Sequence, residues 1–440
     1  MTSGNIWLQI LFFSIPLLIG NLFQQLYNTV DSIIVGNYIG SEALAAVGSS
    51  NSLINLIIGL FMGIATGAGV VISQYYGAKN KDRLFLAVHT SIALTIIGGV
   101  ALVFLGIVLS PLLLRAMGTP EEVMANSVLY LRIFFCGSLF NLFYNMGAGI
   151  LRGVGDSKSA LYYLCAASVV NIVLDILFVA VLHMGVDGVG WATVIAQLVS
   201  AVLVLLKLIR TQDIYKLELK KIRVNKPMMM RILKFGIPSG VQSMIISLSN
   251  VIVQANINAF GASAMAGCGA YMKIDGFVVM PIMSFGLASM TFVGQNYGAG
   301  LLERVKRGTI AGVVISFCYT VAVSVFLYLF GMKLIGIFSS DTAVIENGYL
   351  MMSTLLPYYW TLAFVQVLSN AFRGTGRVIA PTLIMVGNMC IVRMLWVNIA
   401  TPLTHSLTTV LQGYPVSWIL ALVCVVVYAW KSNWIQGEKK

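Results

Sequence analysis

The chain contains one half-protein twice, and this duplication constrains its fold more than any other feature. The segment SQYYGAKNKDRL at Ser73–Leu84 returns as GQNYGAGLLERV at Gly294–Val305, and LRGVGD at Leu151–Asp156 returns as FRGTGR at Phe372–Arg377. Both pairs lie 221 positions apart. A period this long differs from the roughly 20–50-residue repeats of solenoids. It favours two copies of one large bundle, the arrangement of many membrane transporters.

Composition places both copies in a lipid bilayer. Hydrophobic residues make up 59% of the 440 positions and charged residues only 10%, too few polar side chains to cover a soluble surface. Apolar stretches of about 20 residues, long enough to cross a bilayer, predict twelve transmembrane helices, six per half. The predicted ranges are 9–38, 43–76, 84–113, 122–149, 159–183, 187–209, 231–260, 263–297, 305–334, 343–371, 378–402 and 404–430.

The predicted fold is therefore an all-α integral membrane protein with two pseudo-symmetric six-helix bundles. The repeat predicts an N-terminal lobe over residues 1–210 and a C-terminal lobe over 231–440. Between them, residues 211–230 form a basic and partly apolar linker, which we expect to lie along the inner headgroups.

The basic residues predict the orientation. With a cytoplasmic N-terminus, 22 of the 27 Lys and Arg residues fall in inner loops and tails, among them Lys439 and Lys440, and only Arg115 and Lys333 fall in outer loops. This asymmetry predicts a multi-pass protein of the cell membrane with both termini in the cytoplasm. It also accounts for the net charge of +12. Because that charge is spread over short separate segments, we expect no nucleic-acid partner.

The chain lacks the motifs of the main enzyme and metal-protein classes. The six cysteines are scattered singly through predicted helices, without the spacing of a metal site or disulfide framework. There is no GxxxxGK[ST] phosphate loop, and the three histidines suggest no catalytic triad. We therefore expect a protein that is not an enzyme, contains no cofactor and is driven by an ion gradient or by the solute itself.

Three acidic residues lie well inside apolar spans: Asp31, Asp175 and Asp275. A charged side chain at a helix centre costs about 2.5–3.5 kcal/mol on insertion scales. Such residues commonly mark ion or substrate pathways.

The first two of these acids have polar neighbours on their own helices. Tyr27 precedes Asp31 by one turn, and Asn171 precedes Asp175 by one turn, so each pair shares a helix face. Pro16, farther back in the first helix, is expected to kink it. Carboxylates and an amide from separate helices form a plausible oxygen cage for H⁺ or Na⁺. The alternative is a pair of protonated carboxyls that only hydrogen-bond neighbouring helices.

The repeat separates these alternatives. Shifted by 221 positions, Asp31 becomes Ile252, Asn171 becomes Val392 and Asp175 becomes Trp396. A purely structural role would be expected in both halves. The asymmetry therefore favours an ion site in the first lobe.

The second lobe has a different charged set: Lys273, Asp275 and Arg393. On an ideal helix, Lys273 and Asp275 at i and i+2 cannot face each other, which leaves Arg393 with Asp275 as a candidate ion pair. The three residues can line a substrate cavity or form a structural network, and the sequence does not separate the two. Elsewhere, the spacing of Gly59, Gly63 and Gly67 predicts close helix packing.

Together these features resemble a known family. The first predicted helix reads IPLLIGNLFQQLYNTVDSIIVG, GA follows the second and eighth, RGxG follows the fourth and tenth, and the fifth contains NIVLD. In these motifs and in its two six-helix halves, the chain resembles the multidrug and toxin extrusion (MATE) transporters, in particular their DinF-like prokaryotic branch.

The resemblance implies roles for individual residues. It implies a cation-coupling site, for H⁺ or Na⁺, formed by Asp31, Asn171, Asp175 and Thr193. It further implies that Pro16 is the bending proline of the first helix and that Tyr27 supports the site.

We therefore expect a cation-coupled antiporter that exports small organic, often cationic compounds by alternating access, with the bilayer as its environment and a monomer as the working unit. A flippase for lipids or lipid-linked oligosaccharides remains the alternative, because Lys273 and Arg393 would suit such a cavity. A channel or an intramembrane enzyme is a more remote alternative.

Overall fold

The computed structural model describes residues 1–435, except for the side chains of residues 41, 42, 44, 45, 49, 51 and 52. Lys439 and Lys440, assigned above to the basic C-terminal tail, lie outside this part. The first half contains α1 Ile6–Ile34, α2 Ser41–Gly77, α3 Lys81–Ala116, α4 Glu121–Val154, α5 Ser157–Asp175 and α6 Val186–Arg210. The second half contains α7 Lys226–Asn258, α8 Ala262–Gly298, α9 Leu302–Ile335, α10 Thr342–Leu355, α11 Tyr359–Gly374, α12 Ile379–Val386, α13 Arg393–Thr404 and α14 Leu407–Lys431.

Eleven helical runs in the described chain are long and apolar enough to cross a membrane. The remaining predicted span, 343–371, is broken: α10 ends at Leu355, a 3-10 turn covers Leu356–Tyr358, and α11 starts at Tyr359. Pro357 in this turn has no N–H to donate and prevents a continuous helix. With this one interruption, the helices confirm the predicted all-α membrane fold.

The duplication is visible in the backbone. Gly40 and Gly261 both precede a long helix with positive φ angles of 114° and 98°. Gly155 and Gly376 follow α4 and α11 with φ angles of 97° and 90°. Since glycine adopts positive φ without steric cost, both halves use it at the same turns of the repeat.

The chain packs into two compact units. Residues 16–240 form one, called here unit 2, and residues 1–15 with 241–435 form the other, unit 1. The change of unit falls at Pro16 in α1 and just after Gly240 in α7. The repeat instead assigns residues 1–15 to the N-terminal lobe and residues 231–240 of α7 to the C-terminal lobe. The two divisions differ because one follows sequence similarity and the other follows contacts between residues. The lobe boundaries themselves stay a prediction.

Unit 2 is held together by close helix contacts. Within it α4 packs against α2, α3 and α6, and α5 packs against α6. A Cβ added at Gly67 of α2 would lie 2.5 Å from the backbone nitrogen of Gly236 in α7. A Cβ added at Gly63 would lie closer still to the backbone nitrogen of Gly240. These contacts confirm the close packing predicted from the glycine spacing in the second helix.

The linker is built into unit 2. Leu217 is buried in it, and His89 Nε2 on α3 accepts a 3.0 Å hydrogen bond from the backbone N–H of Glu218. At the exposed side, Lys221 Nζ lies 2.8 Å from Glu218 Oε2. The hydrogen bond from Lys221 lowers the pKa of Glu218 below its usual range. The linker is therefore anchored on α3.

Unit 1 has a corresponding anchor. In it α8 packs against α9, α10 and α11, and α14 packs against α10, α11 and α13. The N-terminal residues contact the end of α8: the amino group of Met1 donates to Gln295 Oε1 at 2.8 Å. Arg304 Nη1 donates to the carbonyl of Gly4 at 3.1 Å. These bonds explain why residues 1–15 belong to this unit.

Candidate ion-coupling site

The two acids of the predicted site lie beside irregular helical turns. Asp31 is in the last turn of α1, before a π-helix at Val35–Ile39. Asp175 is the last residue of α5 and is followed by a π-helix at Ile176–Val181. Such turns are rare and often occur at functional sites. Both acids belong to unit 2.

The side chains of this site are buried and lack partners. Asp175 is 0% and Asn171 2% exposed. Among the described residues, neither oxygen of Asp175, neither amide atom of Asn171 and not Oδ1 of Asp31 has a hydrogen-bond partner. Leaving such groups unsatisfied costs roughly 1–3 kcal/mol each, more when charged. The oxygens are a donor set of the kind that hard cations prefer, and a carboxylate can equally accept a proton.

The two acids also interact electrostatically. Asp31 and Asp175 lie within range of direct electrostatic interaction. Like charges in a low-dielectric environment repel strongly, and a bound cation or proton relieves that repulsion. The arrangement can therefore hold a positive charge and release it when the surroundings change.

Tyr130 on α4 is a candidate site residue that sequence reasoning missed. It is 3% exposed and interacts electrostatically with Asp31, Tyr27 and Asp175. The repeat contained a signal for it, because position 130 corresponds to Met351 in the second half. The same shift that marked Asp31 would have marked this hydroxyl.

The other predicted site residues are placed less directly. Tyr27 is half-buried and interacts with both acids. Thr193 on α6 donates its hydroxyl hydrogen to the carbonyl of Val189 at 3.0 Å, and no described hydrogen bond joins it to either acid. Pro16 is buried inside α1. The structure thus brings Asp31, Asp175 and Tyr27 within electrostatic range and leaves Thr193 bonded to its own helix.

The surface of α1 beside this site includes several polar side chains. Gln24, Gln25, Asn28 and Ser32 are exposed in the middle of the span. In hydrocarbon such side chains would be costly, and they normally face protein or a water-filled cavity. Asp31 is therefore close to a surface suited to water and hydrated ions.

In unit 1 the acid Asp275 has a hydrogen-bond partner. The hydroxyl of Tyr359 donates to Asp275 Oδ1, and the hydroxyl oxygens of Tyr271 and Tyr359 lie 3.0 Å apart. Both tyrosines are fully buried. Asp275 therefore has hydrogen-bond partners that the acids of unit 2 lack.

The expected ion pair between Arg393 and Asp275 is wrong. Arg393 contacts Ser417, Asn250 and the ring of Tyr414 instead. A chain of aromatic contacts links the surroundings of the two residues, since Tyr359 packs on Trp418 and Trp418 on Tyr414. The spacing of residues along single helices could not indicate these contacts between helices.

Lys273 is exposed, with Nζ 5.5 Å from the centre of the Phe338 ring. Lys273, Asp275 and Arg393 therefore make no direct contact with one another. Their role in lining a substrate cavity stays a prediction.

Comparison with known families agrees with this two-copy architecture. The MatE family model matches residues 16–177 and again residues 238–399. The two matches cover most of the chain, and each contains one copy of the repeat.

Individual proteins are similar over the full length. The "Probable multidrug resistance protein YoeA" of Bacillus subtilis is 30% identical, over 99% of this chain and 96% of its own. The "Multidrug export protein MepA" of Staphylococcus saprophyticus is 22% identical, over 87% of this chain and 85% of its own. A solved MOP superfamily transporter from Pyrococcus furiosus is 26% identical and superposes with a TM-score of 0.89, over 97% of this chain and 95% of that one.

Proposed function

This chain belongs to the MatE family, and we propose that it is a cation-coupled antiporter that exports small organic compounds. Its membership makes it a multi-pass membrane transporter and not an enzyme. Drug export is supported by the similar proteins, whose names describe multidrug resistance and multidrug export. Coupling to H⁺ or Na⁺ is our inference from the residues of unit 2.

One observation carries the coupling proposal. Asp31, Asn171 and Asp175 present buried oxygens without partners among the described residues, and none of the three is repeated in unit 1. A transporter that binds an ion in one state and releases it in another needs such groups. A carboxylate with permanent partners, such as Asp275, would bind and release less readily.

The proposed mechanism uses these groups as follows. The ion occupies the oxygens of Asp31, Asn171 and Asp175, and the hydroxyls of Tyr27 and Tyr130 adjust the local field. Bound charge removes the repulsion between the acids. The helix that bears Asp31 then adopts a shape with a different affinity for the exported compound, and Pro16 supplies the flexible point.

We also propose that both termini are cytoplasmic. The excess of Lys and Arg in the segments assigned to the inner side supports this orientation. Twelve crossings return the chain to the side from which it started. With this orientation the ion enters the cytoplasm as the compound leaves it.

Proteoliposomes test the coupling. The purified full chain is reconstituted, and a fluorescent organic cation is supplied under a pH gradient without Na⁺, a Na⁺ gradient at uniform pH, or no gradient. We expect one of the two ion gradients to drive accumulation of the dye. For exchange of one proton for one monovalent cation, each pH unit contributes about 1.4 kcal/mol, which corresponds to about tenfold accumulation.

An ionophore that collapses the driving gradient serves as the control and should release the accumulated dye. Dye movement that is equally fast under all three conditions would contradict antiport. It would instead indicate a uniporter or a leak.

A further inference from the structure

Unit 1 contains a buried guanidinium without an acidic partner. Arg393 begins α13 and is 3% exposed. Its Nε and Nη2 donate to Ser417 Oγ at 3.2 and 3.0 Å, and its Nη1 donates to Asn250 Oδ1 at 3.2 Å. The ring centre of Tyr414 lies 4.3 Å from its Cζ. All these partners are neutral.

This charge lies midway along a membrane span. The helical run Ile379–Thr404 is long enough to cross the bilayer, and Arg393 stands near its middle, directly after a π-helix at Gly387–Val392. Arg393 forms no ion pair with any carboxylate in the described chain. A buried charge is stabilised well only when it is paired as well as hydrogen-bonded. An anion is therefore the chemical complement of this site.

The guanidinium has donor capacity for such an anion. It carries five N–H groups, and the contacts above use three, which leaves one on each terminal nitrogen. Two parallel N–H groups suit a carboxylate or phosphate. Asn250, which contacts Nη1, is itself exposed in the C-terminal part of α7, so the guanidinium lies one side chain below the surface of unit 1.

We propose that Arg393 binds an anionic group, a carboxylate or phosphate, of the exported compound. This inference rests on the proposed export function and adds one substrate class to the organic cations: organic compounds that carry an acidic group, including zwitterions. Asp275 does not take the place of this group in the structure, since it accepts a hydrogen bond from Tyr359 and forms no ion pair with Arg393. In this proposal the acids of unit 2 bind the coupling ion, and Arg393 of unit 1 binds the exported compound.

A matched pair of dyes tests the proposal. A rhodamine with a free carboxylate and its methyl ester differ only in the acidic group, and their binding to the purified full chain is measured by fluorescence anisotropy without any gradient. We expect the acid to bind at least about tenfold more tightly than the ester, equivalent to about 1.4 kcal/mol. Arg393→Gln should remove this preference by weakening the acid alone. Lys333→Gln, which removes an exposed positive charge elsewhere in unit 1, should retain it.

A second variant covers the case in which Arg393→Gln fails to fold. Asn250→Asp places a carboxylate of nearly the same shape against Nη1 and should compete with the acid dye while ester binding persists. Equal affinities of the wild type for acid and ester overturn the proposal, and so does an equal loss of both in Arg393→Gln.

Adding phosphatidylglycerol or phosphatidylcholine identifies the source of the anion. Competition by phosphatidylglycerol, but not by zwitterionic phosphatidylcholine, supports the anion site and assigns it to the anionic headgroup of a lipid. Absence of competition supports the carboxylate of the compound. Because dye binding is measured without a gradient, it can be interpreted even if coupled transport in proteoliposomes fails.

Discussion

The two units share turns and helices but treat buried charge in opposite ways. In unit 2, Asp31 and Asp175 have carboxylate oxygens without partners and act on each other. In unit 1, Asp275 accepts a hydrogen bond from Tyr359, and Arg393 is held by neutral groups. A duplicated fold therefore fixes where helices run without fixing their electrostatics. Under the coupling proposal, the acids without partners are the ones that bind and release the ion.

Single positions of the repeat show the same contrast. Asp175 corresponds to Trp396, whose Nε1 donates to the carbonyl of Thr409 at 2.8 Å. Thr193 corresponds to Tyr414, which packs on Arg393. At both positions unit 1 has aromatic side chains with partners, whereas in unit 2 the carboxylate of Asp175 has none among the described residues. The following predictions test this difference.

The largest effect is expected for Asp31→Asn. The amide cannot bind a proton reversibly and weakens any Na⁺ site, so gradient-driven export should fall to the level of empty liposomes. Asp275→Asn, the same change in unit 1, should retain most activity, since Tyr359 can hydrogen-bond an amide oxygen as well. Export rates of both variants, at matched protein levels in proteoliposomes, make the comparison. Normal export by a folded Asp31→Asn protein would remove the proposed site.

The next effect is on stability. Gly67→Ala places a Cβ 2.5 Å from the backbone nitrogen of Gly236, and backbone cannot move aside as a side chain can. We expect a loss of about 1–3 kcal/mol, seen as a lower Tm of the purified protein. Gly269→Ala in unit 1, where a Cβ would meet nothing within 4 Å, should leave the Tm nearly unchanged. Equal Tm values for the two variants would contradict close packing of the α2 and α7 backbones at Gly67.

A smaller effect is expected at the prolines where the chain changes units. Pro16→Ala restores a helix hydrogen bond in the helix that bears Asp31, so ion binding should persist while exchange of compound for ion slows several-fold. Pro238→Ala alters α7, which has Ile252 where α1 has Asp31, and should change the ion-to-compound ratio less. Simultaneous measurement of ion and dye fluxes tests both variants. An unchanged rate and ratio in Pro16→Ala would show that the bend is incidental.

The smallest effect is expected for Thr193→Ala. Its hydroxyl already donates to Val189, so the loss should be about two- to threefold in apparent ion affinity, equivalent to roughly 0.5 kcal/mol. Asn171→Ala, which removes two partnerless buried atoms, should weaken the ion more strongly. The ion dependence of export ranks the two. The reverse order would place the hydroxyl of Thr193, and not the amide of Asn171, in contact with the ion.

The sequence by itself determined the architecture and singled out most residues of the candidate ion site. Apolar length predicts membrane helices because lipid offers no partner for exposed backbone groups, and the 221-residue period revealed the two halves. The cost of charge in lipid singled out Asp31 and Asp175, and their absence from the second half assigned them to one lobe. The i, i+4 spacing added Tyr27 and Asn171 for the same local reason.

Only the tertiary structure decided which side chains from different helices meet. It placed Tyr130 near the acids, gave Arg393 neutral partners in place of Asp275, and placed residues 1–15 with the second half of the chain. It also broke the tenth predicted span at Leu356–Tyr358. Periodicity and insertion cost are properties of one segment and can be read along the chain. Contacts between segments depend on how helices rotate and pack against each other, and that information appears only when the chain is folded.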